Sequence, residues 1–421
     1  MPFKKNSYGS LYKIWQSLPK WVRKLIFLEV IPLIAPRISR HPSPKPPLTI
    51  LAPFSSSIGI GWGGRGNARI LDHAGFEPRL YDWTNVLFSS DLPDKNLVPQ
   101  RRKPDAGPGV LLFHANPNHL PALLLHLGKK AITDKYIIGY AVWELPRLPP
   151  DWERNLRCVH SIWCPSSFAA QAFRAATDNP VHVVPHCVDP PAGLAPDRER
   201  FGIARDTFAV LTAIHLGSGL TRKNPLAAIE AFRSAFPNDQ KAVLLVKVSQ
   251  ADSYPDRMED IEKAIQGAEN IRLIKDTLGE TDYWSLLASI DSVLSLHRSE
   301  GFGLVPAQAM ALGKLAISTG WSGNMDYMNR KNSLLVDYSL VPINDPEGNY
   351  HEDGQLWADP DVDHAAARLR QAAENTGLRQ RIGARAMHTV STKLGPDAIA
   401  RTILDQLADL GVTPGVKARR K

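Results

Sequence analysis

The sequence predicts an α/β protein built from two doubly wound domains facing a cleft. Three observations carry this. Short, almost wholly apolar runs alternate with helical patterns in two successive series. A Pro-rich break separates the series. The chain, at 421 residues, is long enough for two domains of ordinary size. A strand without a polar face has both faces covered, which is the condition of a parallel sheet between layers of helices. Two such sheets give two domains with a cleft between them. No internal repeat is visible.

In the first series the strands read "LTILAP", "VLLFHA", "YIIGYAV", "SIWCP" and "VHVVPH". Helical patterns lie between them in "GNARILDHAG", "LPALLLHLGK" and "SSFAAQAFRAAT", the last with Ser166 and Ser167 as N-cap candidates. The segment "CVDPPAGLAPDRERFG" has three prolines and little apolar content, as a linker does. The second series runs through the strands "TFAVLTAIH", "KAVLLVKVS", "IRLIK", "SVLSLH" and "KLAIST", with a helix after each of the first four and a helical region over 361–410. The expected organisation is a basic extension (1–46), a first domain (47–188), a linker (189–205), a second domain (206–385) and a C-terminal helix with a basic tail (386–421).

Composition excludes several classes. With 43% hydrophobic and 22% charged residues the chain is not disordered. Cys158, Cys164 and Cys187 form neither a disulfide framework nor a C-x-x-C zinc pattern, so a reducing cytoplasm is the expected compartment. The net charge of +8 sits at the ends: residues 1–46 carry nine Lys or Arg against Glu29. No basic reading face with stacking aromatics appears, so nucleic acid is not an expected partner. The apolar run "LIFLEVIPLIA" is broken by Glu29 and Pro32 and is too short to span a bilayer. Trp15, Trp21 and Phe27 among lysines suit a helix in an anionic membrane interface. The other reading is a helix packed on the protein body with a basic face in solvent.

Chemistry concentrates in "SVLSLHRSEGFGLVPAQAMALGKLAISTGWSGNMDYM". A strand ends near Leu296, and Glu300 follows in a tight loop. Gly301 and Gly303 allow backbone to approach a ligand, Pro306 suits a first helical turn and Gly313 a left-handed cap. Free N–H groups at such a helix start suit a diphosphate. Glu300 is placed to accept hydrogen bonds from sugar hydroxyls, and Gln308, expected in the first turn, from another hydroxyl pair. In "LGSGLTRKNPLAAIEAFRSAF", Arg222 and Lys223 precede a helix, where cations are unfavourable unless an anion joins them.

The first of these stretches resembles the E-x7-E region of retaining glycosyltransferases of family 4, which have the GT-B fold. The resemblance implies that Glu300 contacts the donor sugar, that Gln308 replaces the ribose-binding Glu, and that Lys223 binds the donor diphosphate. Arg222 stands in for the family's upstream arginine, replaced here by Ser218. Phe302, Leu304 and Asn324 complete the implied donor site. "FHANPNHLPALLLHLG", "GYAVWELPRLPPDWERNLRCVHSIWCPSSFAAQAFRAAT" and "VHVVPHCVD" resemble bacterial polysaccharide-building members, so the likeness spans about residues 48–412. It implies an acceptor-side first domain and a donor-binding second one. His114 is then a candidate beside the transferring sugar, or a structural residue. Glu144 is a candidate for orienting the acceptor, or a helix-start residue.

"GIGWGG" at 59–64 spells the dinucleotide fingerprint G-x-G-x-x-G, with Asp82 where a ribose-binding acid would lie. Five residues, "FSSSI", separate the preceding strand from Gly59, too many for that turn. Instead, the resemblance places Gly61, Gly64 and Arg65 in a loop over the cleft. The D-x-D of Asp359 and Asp361 precedes a helix and is expected as a turn and N-cap, so no metal is implied. The function expected is metal-independent retaining transfer of a hexose from a GDP- or UDP-sugar to a lipid-linked glycan or oligosaccharide. No cofactor is expected beyond that donor. The expected location is the cytoplasm or the inner face of the plasma membrane. A non-catalytic sugar-nucleotide-binding or glycan-binding protein and a nucleotide-sugar epimerase are the alternatives; the acid/base set of the second is missing.

Overall fold

The structure, a computed structural model, describes residues 17–88, 102–350 and 354–414. Trp15 and the basic tail from Lys417 lie outside the described residues. The chain divides into two compact units. One comprises residues up to Trp143, Arg147–Cys187 and the chain from Ile399; the other comprises Glu144–Pro146 and Val188–Ala398.

The first unit contains a parallel sheet of β1 (Leu48–Ala52), β2 (Arg79–Asp82), β3 (Gly109–His114), β4 (Lys135–Tyr140), β5 (Ser161–Cys164) and β6 (Val181–Val183), in the order β2-β1-β3-β4-β5-β6. β1 and β3 are wholly buried, as their unbroken apolar runs require. Ser166 caps the helix Ser167–Arg174 by accepting from Ala169 N–H. Ile399, Ile403 and Leu407, at helical spacing in Pro396–Asp409, complete the core.

The second unit's sheet consists of β7 (Phe208–His215), β8 (Ala242–Ser249), β9 (Ile271–Ile274), β10 (Ser292–Ser295), β11 (Leu315–Thr319) and β12 (Leu334–Val336), ordered β12-β11-β10-β7-β8-β9 and again parallel. Counted from β7, this is the 3-2-1-4-5-6 order of the doubly wound nucleotide-binding sheet. Arg198, in the Pro-rich stretch before β7, pairs with Asp291 at 3.3 Å and donates to Ser289 O at 3.0 Å, fastening that stretch to the unit. Asp361 caps the helix Val362–Glu374 through His364 N–H, and Asp359 pairs with Arg298. Asp361 is thus the N-cap expected of it, whereas Asp359, expected in a turn, lies in the strand Leu356–Pro360.

Each sheet gains a strand beyond the five apolar runs read for it, β2 in the first and β12 in the second, and two further elements depart from the sequence pattern. The glycines at 59–64, expected in a loop, form the first turns of the helix Gly59–His73. An antiparallel hairpin of β13 (Tyr338–Pro342) and β14 (Leu356–Pro360), not foreseen, precedes the last helices. Its strands are short and half exposed, so they lack the apolar continuity that marks the others.

Candidate active site

In a doubly wound sheet the ligand edge lies at the carboxyl ends of the strands, where the strand order reverses. In the second unit that point falls between β7 and β10. A small cavity opens there, lined by Thr212 and Ile214 of β7, Ser295 of β10, and Lys223, Glu300 and Pro306 from the following loops. Two sequence-distant loops thus meet where the fold alone places a ligand.

Arg222 stitches the loops together. Its buried guanidinium donates to Ser299 O at 2.7 Å and Ser218 O at 3.0 Å. In return, Arg298 N–H donates to Arg222 O and the Arg298 guanidinium to Thr221 O, both at 2.8 Å. Arg222 also lies 3.4 Å from Glu300 and 3.7 Å from Glu144, with the Tyr350 ring 5.4 Å away. Lys223 pairs directly with Glu300. Lys223 keeps about a fifth of its side-chain surface in solvent, whereas Arg222 keeps almost none. Lys223 is therefore the cation better placed to meet an anion, and Arg222 is spent on the frame.

Burial pushes the Glu300 carboxyl upward, but Lys223 and Arg222 outweigh it and hold it down at about 2. Its backbone is fixed as firmly: Glu300 N–H donates to Ser322 Oγ at 2.8 Å, and Gly323 N–H to Glu300 O at 2.9 Å. Gly323 must be glycine, since a Cβ there would lie 2.4 Å from Gly301 O. Glu144 belongs to this unit as well. Ser299 Oγ donates to its carbonyl, and Tyr350 OH to its carboxylate at 3.3 Å. Burial raises the Glu144 carboxyl, and Arg222 only partly opposes this.

Gly303, with φ of +86°, turns the chain into the helix Leu304–Ala311, whose start carries no side-chain cap. Pro306 has no N–H, so Leu304 and Val305 carry the first-turn N–H groups, and Val305 and Pro306 line the cavity, as suits an anion site. Phe302 is buried with its ring 5.3 Å from Tyr327, and Tyr327 OH donates to Gly303 O. Asn324, also buried, donates to Thr319 O at 3.0 Å. Gln308 is the fifth residue of the helix, in its second turn rather than the first, and is buried.

The remaining candidates lie in the first unit. His114 ends β3, its buried ring stacked 4.4 Å from Tyr140 and its Nε2 3.2 Å from the Asn67 amide. Tyr140 OH donates to Val184 O at 2.8 Å and lies 3.1 Å from His186 Nδ1. Burial drives His114 well below the ordinary imidazole range, His186 adding to the effect, and takes His186 to about 4. Gly61 and Gly64 are packing positions in the helix. A Cβ would lie 2.6 Å from Ser56 O at the first and 2.3 Å from Ala52 Cβ at the second. Arg65 is buried in the same helix, donating to Phe54 O and Ser56 O at 2.9 Å each. Asp82 accepts from Ser55 Oγ at 2.6 Å and Thr84 N–H at 2.9 Å, so it holds a local turn.

The structure thus brings Glu144, Arg222, Lys223 and Glu300 into one charged cluster, with Gly301, Phe302, Gly303, Leu304, Gln308 and Asn324 around it. His114, Gly61, Gly64 and Arg65 form a separate group in the first unit. Sequence reasoning missed Tyr350 and Glu347, which lie in the hairpin connection. The signal available was the turn-rich "NDPEGN" between two short β runs.

Part of this cluster lies in a segment that matches a known family. Residues 210–389 match the glycosyl transferases group 1 family. The chain has the GT-B fold. Anabaena Alr3699/HepE, in complex with UDP-glucose, shares 14% identity over 87% of this chain and 99% of its own, with a TM-score of 0.61. The UDP-forming alpha,alpha-trehalose-phosphate synthase of Burkholderia xenovorans shares 14% over 72% of this chain and 74% of its own, with a TM-score of 0.54. Against S. aureus TarM the match has a TM-score of 0.50 and spans about half of that protein, 55% of its length. No curated protein matches by sequence. The matched family segment contains every member of the charged cluster except Glu144, and with it the whole ligand edge of this GT-B second unit.

Proposed function

We propose that this chain is a retaining glycosyltransferase that moves a hexose from a UDP- or GDP-sugar to a lipid-linked glycan or oligosaccharide. The observation that supports it is the Lys223–Glu300 pair at the strand-order reversal of the second sheet, inside the matched family segment. Lys223 and the helix start at Leu304 offer charge stabilisation to a leaving diphosphate without a metal. Glu300, ionised throughout the working range, accepts hydrogen bonds from sugar hydroxyls. The bond from the anomeric carbon to the β-phosphate oxygen breaks. The acceptor oxygen bonds the same carbon on the same face and passes its proton to the leaving phosphate. UDP is the first nucleotide to test, because the HepE structure contains UDP-glucose.

Calorimetric binding of UDP, GDP, ADP and NAD tests the donor site, and the anomeric configuration of product by NMR tests retention. Tight binding of one nucleoside diphosphate is expected. Binding of NAD alone would overturn the reading, and an inverted product would remove the retaining mechanism. Conversion of donor without acceptor would favour the epimerase. The acceptor reading draws on the segment Lys20–Ile34. Its inner side packs through buried Ile31 and Pro32, and Glu29 pairs with Arg154, while Trp21 and Leu33 are 69% and 80% exposed. Exposed apolar rings and chains beside Lys24, Arg37 and Arg40 suit an anionic bilayer surface. Among the described residues no helix is long and apolar enough to cross a membrane. Deleting residues 1–34 should release the protein from vesicles containing phosphatidylglycerol, and unchanged sedimentation would remove the membrane from the proposal.

A further inference from the structure

We infer that the β13–β14 hairpin is a latch: Glu347 and Tyr350 are positioning residues that fix the loop bearing Lys223 and so set the affinity for the donor's diphosphate. This rests on the reading of Lys223 as a diphosphate ligand.

The described part of the connection that follows β13, residues 343–350, is a built structure. Buried Asp345 accepts from the N–H groups of Glu347 at 3.2 Å, Asn349 at 2.7 Å and Tyr350 at 2.9 Å, which locks the turn. That turn delivers two side chains to the loop after β7. The Glu347 carboxylate accepts from Thr221 N–H at 2.9 Å and Thr221 Oγ1 at 3.3 Å, and pairs with Arg257 at 3.1 Å. The Tyr350 ring lies against Arg222, and its hydroxyl reaches Glu144. Gly219, with φ of +88°, gives the loop the turn it needs to meet them; a Cβ there would lie 3.3 Å from Glu347 Oε2 and 3.6 Å from Tyr350. From the other side Arg257 donates to Leu216 O, so the loop is held at both ends of its backbone. Lys223 lies two residues beyond Thr221, and its Nζ is aimed at Glu300 by a backbone that has few freedoms left. An ordered cation loses less on binding an anion than one that must first be ordered.

The sign of the effect separates this from the opposite arrangement. A backbone N–H, a hydroxyl and a guanidinium are also what a phosphate would seek, and a carboxylate competing for them would weaken donor binding. The side chain's burial and the locked turn argue for scaffolding.

Titration calorimetry of UDP and GDP with the full chain and its Glu347→Ala, Glu347→Gln, Tyr350→Phe and Lys223→Ala variants tests it. Glu347→Ala should weaken the bound nucleotide about tenfold, the worth of one charge-assisted hydrogen bond. Glu347→Gln, whose amide oxygen still accepts from Thr221, should recover part of this. Tyr350→Phe should act in the same direction and less. In the transfer assay the donor KM should rise and kcat should fall, and Glu347→Gln should recover both in part, a graded rescue that general loss of structure would not produce. Should circular dichroism show Glu347→Ala unfolded, the isosteric Glu347→Gln variant carries the test, with the expected weakening intermediate. Unchanged or tighter nucleotide binding in the folded Glu347 variants overturns the latch. Lys223→Ala keeps the two failures apart: if it leaves nucleotide binding intact, the donor reading fails; if it weakens binding while the Glu347 variants do not, only the latch fails.

Discussion

The two sheets solve the same burial problem in opposite ways. Each is parallel and six-stranded, and each reverses its strand order once, between β1 and β3 in the first unit and between β7 and β10 in the second. At the second reversal charged groups are held in pairs, Lys223 with Glu300 and Arg222 with Glu300 and Glu144, beside a buried His297 that burial takes to about 4. At the first, rings kept neutral by burial, His114 on Tyr140 and Tyr140 beside His186, lie under the helix whose buried Arg65 is met by the carbonyls of Phe54 and Ser56. An ionised group can stay in such a place only if it is paired or well hydrogen-bonded; an imidazole has the alternative of giving up its proton. A paired cluster with a partly exposed cation can exchange one partner for a charged ligand. A neutral stack beneath a helix holds that helix close.

The largest expected effects break the charged half. Lys223→Ala should lower kcat/KM for transfer by at least about a hundredfold, the scale of one lost charge-stabilising donor. Glu300→Ala should do the same, leaving Lys223 without its partner. Each variant should remain folded by circular dichroism, and activity within a few fold of wild type would remove that residue from the site. Corresponding changes at His114 test the contrast: His114→Asn should act mainly on melting temperature.

Much of the charged half was legible in the sequence, because one strand-loop-helix carries it. An apolar strand, Glu300 just ahead of Gly301 and Gly303, and a helix closing at Gly313 leave few conformations open. Lys223 was legible too, as a cation before a helix. Glu144 was not placed by the same means. It sits in the chain of the first series, yet groups with the second unit through Arg222, Ser299 and Tyr350, and contacts across 155 residues leave no local pattern. The hairpin was missed because its strands are short and half exposed. The glycines at 59–64 misled for a related reason: glycine breaks helices in isolation, but here close packing decides. Only a residue without Cβ fits against Ala52, Ser56 and His186.

The neutral half should show itself in acid. Relative to an ordinary imidazole at 6.5, burial holds His186 at about 4 and His114 well below its ordinary range. Both are neutral in the fold, facing Tyr140 and Asn67, and protonate more readily when unfolded. Stability is therefore complete above about 6.5 and falls as pH drops toward 4, by roughly 1.4 kcal/mol per unit for each group. Glu300 contributes its loss only lower, between its ordinary value of 4.5 and about 2. Melting temperature measured from pH 8 to pH 4 should decline below 6.5, and His186→Gln should flatten that decline. A flat wild-type profile down to pH 5 would mean that the histidines do not limit the fold.

The smallest effects sharpen the comparison within a single helix. Gly64→Ala places a methyl group 2.3 Å from Ala52 Cβ, where β1 backbone cannot yield cheaply, and should cost about 1–3 kcal/mol. Gly59 opens the same helix, and a Cβ there meets nothing within 4 Å. Gly59→Ala should therefore be neutral or stabilise by about 0.4–1 kcal/mol, through the entropy lost by the unfolded chain. The pair, read by urea midpoints at constant slope, isolates packing from propensity, since both are Gly→Ala changes in one helix. Equal destabilisation at the two positions would mean that "GIGWGG" needs its glycines for backbone conformation or ligand approach at Gly59 itself. Opposite signs would locate the requirement where the helix lies on β1 and over the two buried histidines.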